Sequence, residues 1–371
     1  MKETYIVNKV NLDHFEILKK VGEGSFGKVC LVKKKSNSKF YAMKSIRKEN
    51  FKTAKDKINC KIERTILEKL KSPFVVQLHY AFQTPDKVYF IVDYMHGGDL
   101  FLHLRKDHKF KESRARFYIA QWILALKDMH KLGIIYRDLK LENIMLDKDG
   151  NIKLTDFGLS KLGIKNNQDK AYSFVGTPEY LAPEIIKGSG HSHQADWWSL
   201  GAIFYEMITG VSPFYNKNIE KTLDNILSKD IKIPGFVSKK AKSLILGLLE
   251  RSPNRRLGAT KIDDILNHEF FKDIDWKAMK NKDVKPPYRP KTLGDAWVKY
   301  FSQEFVTQEP TDSFVNSALT LTQKAENHFE QFTYHKEDQI LMSPSNEIDV
   351  SQTYKNSVIW EMEESCETGK L

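Results

Sequence analysis

The sequence predicts an α+β fold in two parts, a strand-rich first part followed by a helix-rich second part. In the first hundred residues, short runs rich in β-branched and aromatic residues alternate with Gly, Asn, Asp and Pro, which is typical of strands and turns. After the Gly97-Gly98 break, apolar residues recur at three- and four-residue spacing, which indicates amphipathic helices. Strands first and helices afterwards favour an α+β plan.

The individual elements follow from the same patterns. The predicted strands are Phe15–Val21, Lys28–Lys34, Phe40–Ile46, Val75–Gln83, Val88–Asp93 and Ile152–Thr155. One helix, Ala54–Leu70, is predicted between the third and fourth strands, because Ile58, Ile62 and Ile66 fall on one helical face. The predicted later helices are Glu112–Leu132, Asp196–Thr209, Lys239–Leu249 and Ile262–Leu266.

Composition limits the class of protein. The 371 residues are 41% hydrophobic, which is enough to bury two packed lobes and leave a tail. We expect no membrane-spanning segment, because no run of eighteen apolar residues occurs. The N-terminus has no apolar signal core, and Lys2 stands where N-myristoylation needs glycine. The three cysteines are far apart, so we expect free thiols in the cytosol, with possible nuclear access.

The charge distribution gives no partner by itself. The formal net charge is +11, whereas residues 335–371 carry three lysines against eight acidic residues. A basic body can bind nucleic acid, anionic lipid or a nucleotide. No zinc-finger, helix-turn-helix or RNA-binding aromatic signature accompanies it, so we expect no nucleic-acid partner. We interpret runs such as Lys33–Lys35 as solvated surface.

A glycine-rich segment, with Gly22, Gly24 and Gly27, lies between the first two predicted strands. Glycines let backbone amides approach phosphate oxygens. The GxGxxG spacing alone fits a dinucleotide-binding fold equally well. A strand follows here, whereas a dinucleotide fingerprint opens a helix, and no Gly-Lys-Ser/Thr ending makes a P-loop. The segment therefore indicates a β-hairpin that closes over a nucleotide.

A lysine and a glutamate could form the next part of a phosphate site. Lys44 lies seventeen residues after Gly27 in a predicted strand, where a half-buried ammonium needs an anionic partner. Phosphate oxygens would serve, and Glu63 on the following helix is the favoured carboxylate partner. An exposed edge-strand lysine is the ordinary alternative.

The segment Ile135–Asn143 is far more specific, because charged residues alternate with apolar anchors in a short loop. Asp138 suits a carboxylate that accepts a hydroxyl proton, Lys140 suits a moving phosphate, and Asn143 offers an amide oxygen to a metal. Asp156-Phe157-Gly158 follows eighteen residues after Asp138 at a strand end. A single carboxylate there suits Mg²⁺, which prefers few carboxylates plus phosphates.

These motifs in this order, together with Ala182-Pro183-Glu184, resemble the signature set of the protein kinases over residues 15–271. The resemblance implies a bilobal kinase fold with a β-rich N-lobe, a mostly helical C-lobe, ATP as substrate and Mg²⁺ as cofactor. It implies that Lys44, paired with Glu63, holds the α- and β-phosphates, that Asp138 orients the substrate hydroxyl, and that Lys140 stabilises the transferring phosphoryl group. Asn143 and Asp156 would hold Mg²⁺, Glu184 would pair with Arg256, and Asp196 would brace the catalytic loop.

The resemblance also implies an ATP-binding set. Its members are Val21, Gly22, Gly24, Gly27, Val29, Ala42, Lys44, Val92, Asp93, Met95 and Asp99. Val92 would stand at the gatekeeper position, where its small side chain leaves room behind the adenine. Tyr136 replaces the usual histidine before Arg137-Asp138, and Leu141 replaces the commoner proline; neither is a catalytic group.

Tyr136 and several segments resemble the AGC group of serine/threonine kinases, and the protein kinase B and ribosomal-protein kinase branch in particular. After the catalytic part, Tyr300-Phe301 and Phe329–Tyr334 resemble the tail of this group with its hydrophobic motif. The implied order is an N-terminal segment 1–14, N-lobe 15–94, C-lobe 95–271, tail 272–334 packed on the N-lobe, and a disordered acidic extension 335–371. Since only about fourteen residues precede the first predicted strand, we expect no lipid-binding pleckstrin domain.

Control by phosphorylation is implied at three positions. Ser173 occupies the activation-loop site, and we hypothesise that phosphoserine there pairs with Arg137 and Lys161. Ser313 fits the turn-motif position and Thr333 the hydrophobic-motif position, on which an upstream kinase would dock. An unmodified surface serine is the alternative at Ser173.

Substrate preference is expected to depend on three acids. Asp99, Glu142 and Glu206 stand where arginine-selecting members of the group place acids, which predicts Arg-x-x-Ser/Thr substrates. Each acid could instead be an ordinary solvated charge, and Asp99 could hold the ribose. The rival functions are an inactive pseudokinase scaffold, a basic nucleic-acid-binding module and a small-molecule kinase. We expect an active enzyme rather than a pseudokinase, since Lys44, Asp138 and Asp156 are all present. We also expect a monomer.

Overall fold

The computed structural model describes residues 10–24, 27–166, 168–292, 298–312, 320 and 327–336. These residues form two compact units. Unit one contains the chain up to Lys57, Gln77–Met95 and the described tail from residue 298. Unit two contains Ile58–Val76 and His96–Thr292. Residues 337–371, most of the predicted acidic extension, lie outside the described residues, as do residues 1–9.

Unit one is built on an antiparallel sheet. Its strands are β1 (Phe15–Gly24), β2 (Gly27–Lys34), β3 (Phe40–Arg47), β4 (Leu78–Gln83), β5 (Lys87–Asp93) and β8 (Tyr334–His335), and their spatial order is β1-β2-β3-β5-β4-β8. One sheet face buries a cluster that includes Phe15, Val32 and Ile91. Alternation of side chains along each strand leaves the opposite face to a second set of residues. The α+β prediction is confirmed, with five of the predicted strands in this sheet.

The tail adds the edge strand of this sheet. Tyr334 pairs with Ala81, and His335 pairs with Tyr80, so β8 covers the edge of β4. A short helix, α10 (Gln303–Val306), contacts β1. The described tail residues from 298 onward thus pack on the strand-rich part, as predicted, whereas residues 272–292 of the predicted tail belong to unit two. Strand β8 reaches the first residue of the predicted extension.

One predicted strand begins too early. We expected a strand from Val75, but β4 starts at Leu78. Val75 instead forms a parallel bridge to Leu154, and the Val76 amide donates to the Leu154 carbonyl at 3.0 Å. The β-branched run Val75-Val76 is therefore divided between two pairing partners, which composition alone does not reveal.

Unit two is mostly helical. Its helices are α2 (Leu100–Asp107), α3 (Glu112–Lys131), α4 (Pro183–Ile186), α5 (Gln194–Thr209), α6 (Ile219–Ser228), α7 (Lys239–Leu248), α8 (Asp263–Leu266) and α9 (Trp276–Asn281). A two-stranded sheet pairs β6 (Ile144–Leu146) with β7 (Ile152–Leu154). Helix α1 (Ala54–Lys69) runs through residues of both units. No helix in the described part of the chain has the length and apolar character to cross a bilayer.

The central element of unit two is α5, whose residues are buried on almost every side. Such an all-round apolar helix is typical of a core position. It ends at Gly210, whose φ of 85° puts it in the left-handed region that glycine adopts without strain. Helices α2, α4, α6 and α9 were not predicted, although Asp99, Asn218 and Asp275 cap three of them with their side chains.

Candidate active site

One face of the sheet in unit one gathers five of the predicted ATP-binding residues, Val21, Val29, Ala42, Lys44 and Val92. The strand register places Lys44 between Val29 and Phe90, and Ala42 between Leu31 and Val92. Residues opposite each other across strands share a face, and so do residues two apart along a strand. Val21, Leu31 and Tyr94 form a buried cluster against which Val29 and Ala42 pack. We call this surface the nucleotide face.

The three glycines of the hairpin have different roles in the fold. A Cβ on Gly27 would lie 2.0 Å from the Ser45 carbonyl oxygen, so packing alone requires glycine there. A Cβ on Gly24 would meet nothing within 4 Å, and one on Gly22 would only touch Val29 at 3.9 Å. The structure therefore leaves open space at Gly22 and Gly24, as a close approach to a ligand requires. Ser25 and Phe26, at the tip, lie outside the described residues.

The end of β5 carries two further predicted ATP-binding residues. The Asp93 carboxylate accepts a hydrogen bond from the Gln77 amide at 3.0 Å and lies 2.7 Å from Nε2 of His79. Its side chain is thus committed to β4, so a ligand would meet the backbone of Asp93 rather than its carboxylate. Met95 is buried at the end of unit one.

In unit two, three side chains contact the carboxylate of Asp138. Lys140 Nζ lies 3.0 Å from Oδ2, and Asn143 Nδ2 donates to the same oxygen at 2.9 Å. The Thr177 hydroxyl donates to Oδ1 at 3.0 Å. Predicted residues Asp138, Lys140 and Asn143 therefore lie together. Thr177 was not predicted to have a role, although it stands in the Gly-Thr-Pro-Glu segment.

The backbone of this loop is held by a buried aspartate. Asp196 accepts hydrogen bonds from the amides of Tyr136 and Arg137, both at 3.0 Å, and lies 2.8 Å from Nε2 of His130. Burial opposes ionisation, but these donors together lower the pKa of Asp196. Arg137 has a φ of 68°, which a non-glycine residue adopts only under such restraint.

The predicted metal ligands are both positioned next to this loop. The Thr155 amide donates to the Asn143 carbonyl at 3.0 Å, which places Asp156 one residue beyond that link. Both contacts of Asn143 Nδ2 go to Asp138, so the Asn143 Oδ1 oxygen is directed away from them. An amide oxygen and one carboxylate are the donors that Mg²⁺ takes alongside phosphates. The donor set therefore fits Mg²⁺.

The unusual Tyr136 has a structural role here. Its hydroxyl donates to the Thr155 carbonyl, directly before Asp156. Its ring meets Phe157 edge to face at 5.4 Å, and both rings are fully buried. Burial raises the pKa of the Tyr136 phenol, which keeps it a donor. A tyrosine thus ties the two motifs together.

Glu63 lies beside the same segment in unit two. It is 4% exposed, and a Cβ added to Gly158 would lie 3.9 Å from its Oε2. Lys44 belongs to unit one. The predicted Lys44–Glu63 pair stays a prediction.

The phosphorylation positions differ in their surroundings. Ser173 is half-buried, and Arg137 Nη1 donates to its hydroxyl oxygen at 2.7 Å. Thr333 is exposed beside buried Phe332. Ser313 lies outside the described residues.

The hydrophobic motif is docked in unit one. Phe329 contacts Phe51 at 5.4 Å between ring centroids, and Phe332 contacts Phe90 at 5.4 Å. Gln83 binds the Phe329 backbone twice, as donor to the carbonyl at 2.6 Å and as acceptor from the amide at 3.0 Å. These contacts fix the segment that precedes Thr333.

The three predicted substrate acids lie in one electrostatic neighbourhood of unit two. Asp99 caps α2 by accepting from the Leu102 amide at 2.7 Å, and burial raises its pKa. Burial also raises the pKa of Glu142, with Asp99 and Glu179 as repelling neighbours. Burial raises the pKa of Glu206 to about 7, and Glu142 and Glu179 add to the effect. Glu179 was not predicted as a member.

A buried ion pair supports the same region. Arg256 donates to both carboxylate oxygens of Glu184, at 2.6 and 2.8 Å, and both side chains are buried. Arg256 also donates to the Gln194 carbonyl at the start of α5. The pair implied by the resemblance is therefore formed.

Comparison with known families agrees with this geometry. The model of the protein kinase domain family matches residues 15–271. The chain belongs to the protein kinase family. Its matched range is the one the motifs predicted, and its relatives place it in the AGC group.

Three relatives show how far the likeness extends. The yeast (Saccharomyces cerevisiae) serine/threonine-protein kinase YPK2/YKR2 is 44% identical over 91% of this chain and 49% of its own length. A RAC family serine/threonine-protein kinase homolog of Dictyostelium discoideum is 44% identical over 90% of this chain and 74% of its own. Human ribosomal protein S6 kinase alpha-3 is 47% identical over 82% of this chain and 42% of its own. The chain spans about half the length of the yeast relatives it matches.

Proposed function

We propose that this chain is a serine/threonine protein kinase, which transfers the γ-phosphoryl group of Mg²⁺-bound ATP to protein hydroxyls. The arrangement around Asp138 carries this proposal. Its carboxylate is fixed by Lys140, Asn143 and Thr177 within 3.0 Å. A preorganised carboxylate beside an ammonium suits proton transfer from a hydroxyl next to a moving phosphate.

Each residue of the site has a defined task. Asp138 orients the substrate hydroxyl and accepts its proton as the new O–P bond forms and the bond between the γ-phosphorus and the β–γ bridging oxygen breaks, which releases ADP. Lys140 stabilises charge on the transferring group, since an ammonium is a strong donor to phosphate. Mg²⁺, held by Asn143 and Asp156, would neutralise phosphate charge. Lys44, on the nucleotide face, would bind the α- and β-phosphates with Glu63 as its partner.

We further propose substrates of the Arg-x-x-Ser/Thr type. The support is the group of partly buried acids Asp99, Glu142 and Glu206, whose burial raises their pKa values. A guanidinium that replaces lost hydration with paired hydrogen bonds would favour their ionised forms. Glu179 adds a fourth negative charge to this neighbourhood.

Activation is proposed to depend on phosphorylation. The Arg137–Ser173 contact supports an activating phosphate at Ser173, because a guanidinium already lies at the hydroxyl. Thr333 is proposed as a second site and Ser313 as a third. An upstream kinase would recognise the hydrophobic motif before it docks. Removal of residues 325–371 should then lower activity.

The proposed setting is that of a monomeric cytosolic enzyme with access to the nucleus. Support comes from the buried thiol of Cys30, which forms no disulfide with any described residue. Its pKa is raised to about 11 by burial, so it is an unreactive thiol. We propose neither nucleic acid nor lipid as a direct partner.

A positional peptide array tests the proposal. The purified chain, with Mg²⁺ and ATP, should phosphorylate serine and threonine peptides and prefer arginine three residues before the target. Transfer with no arginine preference would contradict the substrate class. Nucleotide binding without transfer to any peptide would favour the pseudokinase scaffold instead.

A further inference from the structure

The tail of unit one is fixed by a buried contact that contains no phosphate. Asp312 Oδ2 lies 2.7 Å from Lys87 Nζ and accepts a hydrogen bond from the Tyr89 hydroxyl at 2.8 Å. The Lys87 side chain is only 4% exposed and that of Asp312 20%. Burial and the nearby Asp312 carboxylate raise the pKa of Tyr89, so its phenol remains a donor. Both partners of Asp312 lie on β5.

The Asp312 carboxylate and the buried Lys87 ammonium compensate each other's charge. Its other oxygen, Oδ1, is buried and has no hydrogen-bond partner among the described residues. The carboxylate therefore depends on Lys87 and Tyr89 for compensation. A neutral side chain at position 312 would leave the buried Lys87 ammonium with one anionic contact fewer, which a surface pair would tolerate far better.

The same tail segment is held at further points on the way back to the nucleotide face. Lys28 Nζ donates to the Thr311 carbonyl at 3.3 Å. Lys20 Nζ donates to Gln308 Oε1 at 2.7 Å and lies 5.1 Å from the centroid of the Phe305 ring. Residues 305–312 are thus attached to β1, β2 and β5 by charged donors.

Just before residues 305–312, the tail packs on the nucleotide face itself. The Phe301 ring stacks on Tyr94 with centroids 5.7 Å apart and planes 21° apart. Val298 and Phe301 pack against the buried cluster of Val21, Leu31 and Tyr94, as Val29 and Ala42 also do. Strand β5, continuing into Tyr94, thus carries the Asp312 anchor at one end and the Phe301 contact at the other.

We propose that Asp312 is a positioning residue for the nucleotide: by its ion pair with Lys87 it holds the tail so that Phe301 stays against the nucleotide face, with no phosphate needed. This inference rests on the proposed function, since it names a determinant of ATP affinity. The anchor is formed by side chains of the chain itself, Asp312 and Lys87. Asp312 acts through Phe301 and touches no reacting atom.

The test compares Asp312→Asn with Glu309→Gln in the full chain. Both variants remove one negative charge from the same tail segment, but Glu309 is exposed. The readouts are hydrogen exchange of the tail peptides that cover residues 298–312, the affinity for the Mg²⁺ complex of a non-hydrolysable ATP analogue, and the KM for ATP against kcat. Lys87→Met and the double variant complete a cycle for the pair.

We expect Asp312→Asn to speed hydrogen exchange in the tail peptides. We also expect it to weaken binding of the ATP analogue by roughly fivefold. The KM for ATP should rise by the same factor with kcat within about twofold, because only nucleotide binding is altered. Glu309→Gln should match the wild type. The double variant should lose less analogue affinity than the sum of the losses in the two single variants, since the two residues act as one contact.

Unchanged tail exchange in Asp312→Asn would overturn the anchor, and so would equal effects of Glu309→Gln. Faster exchange with unchanged analogue affinity would overturn its role in nucleotide binding. A joint fall of kcat and melting temperature would also overturn it, because that result marks a general folding role. Failure of the wild-type chain to bind the analogue would instead overturn the proposed function, while the exchange data still report on the anchor.

Discussion

The hydroxyl of Tyr180 donates a 2.7 Å hydrogen bond to Oε2 of Glu206, and both side chains are buried. Burial of Glu206, with Glu142 and Glu179 nearby, raises its pKa to about 7 despite this hydrogen bond. The proposed substrate acid therefore changes its charge near neutral pH.

This relationship predicts a pH-dependent substrate preference. Glu206 is neutral below about pH 7 and charged above it, so its attraction for an arginine side chain is present at high pH and lost as the pH falls. The ratio of kcat/KM for an arginine peptide over its alanine counterpart should fall severalfold from pH 8 to pH 6. In Glu206→Gln the ratio should be low and nearly flat. A wild-type ratio that is constant across this range contradicts the assignment.

A second prediction concerns Ser173. Phosphorylation of Ser173 adds a charge near −2 to a hydroxyl oxygen that already lies 2.7 Å from Arg137 Nη1. The phosphorylated segment should therefore be more firmly ordered. Ser173→Ala should lower the kcat of enzyme treated with its activating kinase by roughly tenfold or more. The control is Ser228→Ala, at an exposed helical position. Full activity of Ser173→Ala would show that this phosphate is dispensable.

A third prediction separates a buried ion pair from an exposed one on neighbouring residues. Arg256→Met leaves Glu184 buried and unpaired, and should lower the free energy of unfolding by about 3–5 kcal/mol. Arg255→Met removes an exposed contact to Glu250 and should cost less than about 1 kcal/mol. Chemical denaturation measures both. Equal losses of unfolding free energy in the two variants would mean that the Arg256–Glu184 pair does not stabilise the start of α5.

A fourth prediction separates stability from nucleotide binding within the glycine-rich hairpin. Gly27→Ala places a Cβ 2.0 Å from the Ser45 carbonyl and should lower stability by about 1–3 kcal/mol through strain. Gly24→Ala meets open space and should leave stability nearly unchanged, but should raise the KM for ATP. Thermal unfolding and steady-state kinetics provide the two readouts. A stable Gly27→Ala protein would contradict the described packing of β2 on β3.

The sequence predicted those parts of the site whose residues are close together along the chain. Asp138, Lys140 and Asn143 lie within six residues, and their motif is specific, so their meeting could be predicted. Thr177 joins them from 39 residues away, and Asp312 meets Tyr89 from 223 residues away. Contacts at such separation leave no local period or spacing. The family resemblance supplied the distant Glu184–Arg256 pair, but it did not supply these two contacts.

The fold shows the same limit. Long periodic helices such as α3 and α5 were predicted within about two residues of their observed ends, because apolar periodicity over many residues is a strong signal. The start of β4 was wrong, because Val75 pairs with Leu154 in a different sheet region. Pairing partners, rather than strand propensity, decide where a β-branched run divides.

The most direct test of the account compares binding with transfer in Asp138→Asn. Asparagine keeps the shape of the side chain and can still accept from Thr177, but it cannot take the proton of a substrate hydroxyl. We predict that the variant binds the Mg²⁺ complex of ATP within about twofold of the wild type, while the rate of peptide phosphorylation at saturating ATP falls by about 10²–10⁴. A variant that phosphorylates peptides at the wild-type rate would contradict the assignment of Asp138, and with it the proposed site.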